Sequence, residues 1–180
     1  RRFEAARARL NEKKRSDKEL AMRKGFHGTH RSKLKAICDK GLLRVGHKLN
    51  PSQAVDEGFF GMPQHGVYLS RCELCALLCS QPASYSALVD FDYTLKYSNE
   101  LTPLQPGETC QVIMFSVLPG KSRHISERKA GLKPSDSPEH DSHSSSGYQE
   151  WYLFDESQCC PTHVLTFQAV VHDRTKGDYD

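Results

Sequence analysis

Three short stretches carry the residue types from which a reactive cleft is built. Phe26-His27-Gly28-Thr29 sets an imidazole beside a glycine in the first compact apolar segment of the chain. Gly66-Val67-Tyr68-Leu69-Ser70 is a β-prone run opened by glycine, with a phenol at its centre. Tyr148-Gln149-Glu150-Trp151-Tyr152-Leu153-Phe154-Asp155 is an aromatic run with one carboxylate, Glu150, in its interior. His27, Tyr68 and Glu150, each on or beside its own strand, can converge in one cleft as a hydrogen-bonding imidazole, an aromatic platform and an anion. Taken singly, each has a plainer reading. His27 can be an ordinary strand histidine. Tyr68 can be a core aromatic with a satisfied hydroxyl. Glu150 can be a solvated residue between inward-facing Gln149 and Trp151.

The surrounding sequence predicts the elements that must position these residues. Residues 3–23 hold neither Gly nor Pro and predict a helix, with Ser16-Asp17-Lys18-Glu19 as a cap that divides it and Gly25 as its end. Residues 26–29 predict a short strand. Leu34, Ile37 and Cys38 repeat at helical spacing over 31–40, and Gly41 stands where a left-handed terminal residue is wanted. Residues 42–45 read as extended, and 46–64 as a long loop anchored by Phe59-Phe60. A helix is expected over 71–79 and a turn over 103–107, while 81–99 has no clean period.

Residues 110–118 alternate with both faces largely apolar and predict a central strand, closed by Pro119-Gly120-Lys121. Residues 133–147 are Ser, Asp, His and Pro with almost nothing to bury, which predicts an exposed insertion of disordered composition. Strands are expected again at 148–155 and 164–171. The sum is an α+β fold with a mixed or antiparallel sheet and short flanking helices. It divides into a basic helical segment at 1–24 and a domain at 25–175.

A chain of 180 residues can bury one real core. Its mean hydropathy of −0.62 goes with sizeable polar loops. No run approaches the roughly 18 apolar residues of a membrane span, and a membrane partner is not expected. The formal net charge is +3, yet residues 1–24 hold ten Lys and Arg against four acids. Such a cluster either contacts nucleic acid or forms a solvated helix face, and no aromatic residue beyond Phe3 interleaves to stack on bases. Seven cysteines, an odd count without the small loop-rich character of a disulfide scaffold, fit reduced thiols in a nucleus or cytosol. Cys72, Cys75 and Cys79 share one helical face, where they act as small hydrophobes. A zinc site would need a second pair, which is missing, so no metal is expected.

In this order and spacing, the three stretches resemble the catalytic domain of the PARP-type ADP-ribosyltransferases over residues 25 to about 170. His27-Gly28-Thr29 is similar to that family's His-Gly-Ser/Thr strand, and Gly41-Leu42 follows the next helix as it does there. Gly66 to Ser70 is similar to its Gly-Ile-Tyr-Phe-Ala segment. Glu150, with Gln158 downstream, is similar to its Asn-Glu-Tyr-Ile-Val-Tyr-Asp segment. The resemblance implies a split-sheet PARP-type fold, with His27, Tyr68 and Glu150 as catalytic residues and His27, Gly28, Thr29 and Tyr68 binding NAD. In that reading Glu150 holds the ribose 2′-OH and stabilises an oxocarbenium-like transition state. Tyr68 stacks on nicotinamide. The Gly28 backbone pairs with the carboxamide, and His27 bonds the adenosine ribose.

A narrower resemblance points away from catalysis. Gly66-Val67-Tyr68-Leu69-Ser70-Arg71, the strand ending in Pro119-Gly120-Lys121, Pro138 to His143 and Pro161-Thr162-His163-Val164 are similar to the PARP-like domains of the transcription activation suppressor (TASOR) group. That group includes a testis-expressed relative acting in germline transposon silencing, which the retained His27-Gly28-Thr29 favours. It implies a pseudo-enzyme that binds no cofactor, in a nuclear protein (with cytoplasm as a second site) whose partners are silencing-complex or germline proteins. Ala76 and Cys79 stand where the active pattern has a serine and a second stacking tyrosine, which agrees. The alternative is an active NAD-dependent mono-ADP-ribosyltransferase. A loop at 46–64 folded across the cleft would block NAD with every motif intact.

Overall fold

A computed structural model describes residues 1–49, 61, 64–71, 106–127, 129, 131–145 and 150–168. The elements in order are helices α1 (Arg2–Glu12) and α2 (Asp17–Leu20), strand β1 (Arg23–Gly28), helix α3 (Arg31–Lys40), and strands β2 (Val67–Ser70), β3 (Thr109–Val117) and β4 (Ser122–His124). A 3₁₀ turn at Pro134–Asp136 leads to β5 (Ser142–Ser144) and β6 (Glu150–Leu153), and a second at Glu156–Gln158 leads to β7 (Cys159–Gln168). The strands form one sheet in the order β4-β5-β6-β2-β1-β3-β7, antiparallel except for the β4–β5 pair. The fold is α+β with a mixed sheet, as the sequence predicts.

Several local expectations hold. The chain breaks at Ser16, where the Glu19 carboxylate accepts from the Ser16 N–H at 2.8 Å and its hydroxyl at 2.9 Å. Helix α3 ends at Gly41, whose φ of +85° is the left-handed conformation that favours glycine. β3 is an interior strand, between β1 and the edge strand β7, rather than the centre of the sheet, with Val112, Ile113, Phe115 and Val117 fully buried.

Others are corrected. Gly25 does not stop a helix; it lies inside β1, where a Cβ would come 2.9 Å from Val117 Cγ2 and 3.2 Å from Leu69 Cβ. The glycine therefore serves close packing between strands. Residues 42–45 form no strand. β7 begins at Cys159 rather than 164, because it follows β3 through a register shift between Met114 and Phe115. The largest correction is at 133–147: the described part, 133–145, is no exposed insertion. Ser137 and Asp141 to Ser145 are all buried, and Ser142–Ser144 is a sheet strand between β4 and β6. The expected helix at 71–79, Ala76 and Cys79 with it, and the stretch 81–99 lie outside the described residues.

Two apolar clusters flank the sheet. One joins Leu34, Leu42, Val67, Leu69, Ile113, Phe115, Val117, Trp151 and Leu153, with Ile37 of α3 packed against it. The other joins Ile125, Leu132 and Tyr152, with Tyr68 and Phe154 against it. Alternation along β2 and β6 sends Val67, Leu69, Trp151 and Leu153 to the first face and Tyr68, Ser70, Glu150 and Tyr152 to the second.

Candidate functional site

The register of β2 and β6 fixes where two of the three singled-out residues stand. Tyr68 pairs with Tyr152 and Ser70 with Glu150, so Tyr68 and Glu150 are diagonal neighbours on one face. His27 starts from the other side. It pairs with Ile113, and Gly25, two residues before it on β1, meets the side chains of Val117 and Leu69 in the first cluster. The trio is therefore not gathered on a single face of the sheet. His27 still touches β2, because its ring N–H donates to the backbone carbonyl of Tyr68. Burial pushes the His27 pKa down to about 4, against the opposing pull of that hydrogen bond, so the ring is neutral near pH 7.

Tyr68 is committed to its own chain. Its hydroxyl accepts from the Gly61 N–H at 2.5 Å and donates to the Gly61 carbonyl at 2.9 Å. Its ring lies against Tyr152 with centroids 4.8 Å apart and planes tilted by 45°. Gly61 also bridges to Leu132 in parallel and crowds the Tyr152 ring so closely that a Cβ there would overlap it. Gly66 meets the same ring from the start of β2, with a Cβ 2.7 Å from Tyr152 Cζ. Two glycines at these places are a steric need of Tyr152, which is wholly buried and whose phenol burial pushes well above its ordinary pKa. Gly61 thus holds the hydroxyl end of Tyr68 and abuts the Tyr152 ring.

The remaining resemblance-implied residues are placed as follows. Gly28 ends β1 opposite Val112, half-buried. Thr29 lies just outside the strand, before the N-cap residue His30 of α3. The Glu150 N–H donates to Ser145 Oγ at 2.9 Å, which ties β6 to the buried end of β5. Gln158 is buried, donates from Nε2 to the Leu118 carbonyl at 2.9 Å, and accepts from the Asp155 N–H at 2.9 Å. It joins β3 to the turn before β7.

Sequence reasoning missed a row of residues on the second face. His143 of β5 pairs with Tyr152, and Arg123 of β4 pairs with His143, so the row Tyr68-Tyr152-His143-Arg123 crosses four strands. His143 is wholly buried, edge-on to Phe154 at 4.7 Å, with Nε2 2.9 Å from Ser137 Oγ. That hydroxyl also accepts from Arg123 at 2.9 Å. Burial, reinforced by the Arg123 charge, drives the His143 pKa down to about 4. A serine within hydrogen-bond reach of an imidazole is a nucleophile–base pairing. With His143 at 0% and Ser137 at 3% exposure no substrate reaches it, and the pair is a structural joint. The signal in the sequence was the His140/His143 pair, which composition alone would leave in solvent.

Asp141 is a second joint. Its carboxylate accepts from Lys13 Nζ at 2.8 Å, Arg15 Nε at 2.7 Å and the Lys121 N–H at 2.9 Å. Burial alone would raise its pKa; the hydrogen bonds from Arg15, Lys13 and Lys121 outweigh that and hold the carboxyl below its ordinary value. Gly120, at φ +62°, leaves the space it fills, since a Cβ there would meet Asp141 Cβ at 2.7 Å. Among the described residues no group of three or more His, Cys, Asp or Glu is arranged to hold a metal. Cys38, Cys110, Cys159 and Cys160 are free thiols, while Cys72, Cys75 and Cys79 lie outside the described residues.

No protein-family profile and no curated protein matches the sequence. Comparison with solved structures does match: the crystal structure of the TASOR pseudo-PARP domain superposes with a TM-score of 0.65 at 24% identity, covering 94% of this chain and 77% of that one. The chain has the PARP-like fold that the resemblance implied.

Proposed function

We propose that this PARP-like domain is a non-catalytic interaction module of a larger nuclear silencing protein, and that it binds no NAD. The observation that carries the reading is the commitment of Tyr68. An aromatic residue that must stack on nicotinamide needs its ring and surroundings open to the ligand. Here the ring packs against Tyr152 at a 45° tilt and the hydroxyl is held by both backbone groups of Gly61. NAD is a poor fit to that arrangement. The placement of His27 off the Tyr68–Glu150 face supports the same reading. So does the likeness to a domain described as a pseudo-PARP.

For partners, the reading favours silencing-complex or germline proteins in the nucleus over nucleic acid. Of the N-terminal cations, Arg2, Arg9, Lys13 and Arg15 already pair with Glu156, Asp155 and Asp141, which thins the charge available to phosphates. No described helix is long and apolar enough to cross a membrane.

One observation favours an active mono-ADP-ribosyltransferase instead: Glu150 sits on the face of Tyr68, and His27 bonds the Tyr68 carbonyl. Incubation of the folded domain with labelled NAD decides between them. No label should reach the domain or added nuclear proteins. Labelling that disappears in Glu150→Ala would establish the enzyme.

A further inference from the structure

We propose that the N-terminal helical segment is a salt-releasable strap, hinged near Arg15, fastened across the end of α3 and the turn at Glu156–Gln158. Its apolar anchorage is one narrow stripe, with Phe3 half-buried beside two buried residues. Ala6 and Leu10 are the buried residues of α1, and α2 has none. An isolated helix of this length is marginal in water, so α1 depends on what fastens it.

The fastenings are polar and follow the helix from end to end. At its start, an Arg2 guanidinium N–H donates to the Lys40 carbonyl at the end of α3, and a second nitrogen lies 4.0 Å from Glu156. In the middle, Arg9 bonds Asp155 at 2.5 Å and Ser157 Oγ at 2.7 Å. Beyond its end, Lys13 and Arg15 bond Asp141, and Arg15 also donates to the Glu139 carbonyl at 3.0 Å.

These fastenings differ in their access to salt. The Arg9–Asp155 pair is about half exposed on both sides, at 49% and 45%, and the Arg2 side chain is 55% exposed. Screening reaches such pairs: the Debye length falls from about 14 Å at 0.05 M to about 3 Å at 1 M. Asp141 and Arg15, at 2% and 13%, are shielded by the protein, so their attraction survives. Salt therefore loosens the half of the strap that bears Arg2 and Arg9 and leaves Arg15 fixed. When that half lifts, Asp155 loses its Arg9 partner and the carbonyl end of α3 loses Arg2, while Glu156 keeps the Arg44 N–H at 3.0 Å and the side chains of Arg44 and His47.

Hydrogen exchange read by mass spectrometry or NMR on the whole domain at 0.05 M and 1 M NaCl, corrected for intrinsic rates, tests this. Amides of Ala6 to Leu10 should lose protection roughly threefold or more at high salt, the loss expected when the Arg9–Asp155 and Arg2–Glu156 pairs are screened. Amides of Glu19, Leu20 and β3 should keep theirs. The variant Arg9→Gln, at an exposed position, should reproduce part of the loss at 0.05 M NaCl, since it removes one of the two pairs. The proposal is overturned if α1 protection is unchanged by salt or by Arg9→Gln, or if α1 and β3 lose protection together.

Discussion

Replacing Asp141 by Asn removes one charge and almost no volume from the joint between the N-terminal segment and the sheet. The Asn oxygen can still accept from the Lys121 N–H, so that bond, at 2.9 Å in the native chain, survives. What is lost is the attraction of a 2% exposed carboxylate to Arg15 and Lys13. Removing one partner of a buried pair costs about 3–5 kcal/mol. Lys13 is 53% exposed, so its share is that of a surface pair, below about 1 kcal/mol. Arg15 keeps some access to water and a bond to the Glu139 carbonyl. Asp141→Asn should therefore destabilise by about 2–3 kcal/mol, read as a lower urea midpoint at unchanged slope.

The dependence on pH is a second check on the same change. The carboxyl is held below its ordinary value of 3.8 in the folded chain, so its contribution is complete above that pH. It is lost as pH falls through the folded value. The difference in stability between the native protein and Asp141→Asn should be constant from pH 7 to about 5 and shrink below about pH 4. A loss under about 0.5 kcal/mol, the ordinary surface scatter, or a difference that persists into strong acid, would refute the assignment of Asp141 as the joint.

Other perturbations test the second face. Tyr68→Phe deletes both bonds to Gly61 while keeping the ring on Tyr152, and should cost about 1–2 kcal/mol in chemical denaturation. Gly61→Ala forces a methyl into the Tyr152 ring and should cost about 1–3 kcal/mol, with loss of the near-ultraviolet tyrosine signal. His27 and His143 both titrate at about 4 in the folded chain against an ordinary 6.5. The unfolded chain then binds more protons between these values, so stability should rise from pH 4 to about 6.5, by up to roughly 3 kcal/mol for each histidine. His143→Gln should flatten that rise in thermal melts taken across the range.

What was legible in the sequence was what local chemistry decides. The Ser16–Glu19 cap, the Leu34–Ile37 face of α3 with Gly41 behind it, and the alternation of β3 are written in neighbouring residues, and each is where the residues place it. β5 was illegible for the opposite reason. Ser142, His143 and Ser144 have no apolar pattern; the chain itself supplies hydrogen-bond partners to Ser142 and His143 in the interior. Ser142 Oγ donates to the Pro119 carbonyl at 2.8 Å, and His143 meets Ser137. A composition argument treats such groups as needing water and fails wherever the chain supplies the hydrogen bonds.

The site was half legible. Tyr68 and Glu150 fall on strands as expected, and pairing of β2 with β6 puts them on one face. That His27 starts from the other face depends on how β1 pairs with β3, which no single stretch records. The engagement of Tyr68 by Gly61 is a contact between residues seven apart whose partner in space no local pattern names. Asp141 shares its charge with residues more than 120 positions away, so its importance could not be read from its neighbours.

The most direct test of the central claim is a calorimetric titration of the folded domain with NAD and with a nicotinamide-mimicking inhibitor. With Tyr68 spent on Gly61 and Tyr152, neither ligand should give binding heat up to millimolar concentration. Micromolar binding by either one, abolished in Tyr68→Ala, would show that the tyrosine faces an open nicotinamide site and would contradict the account.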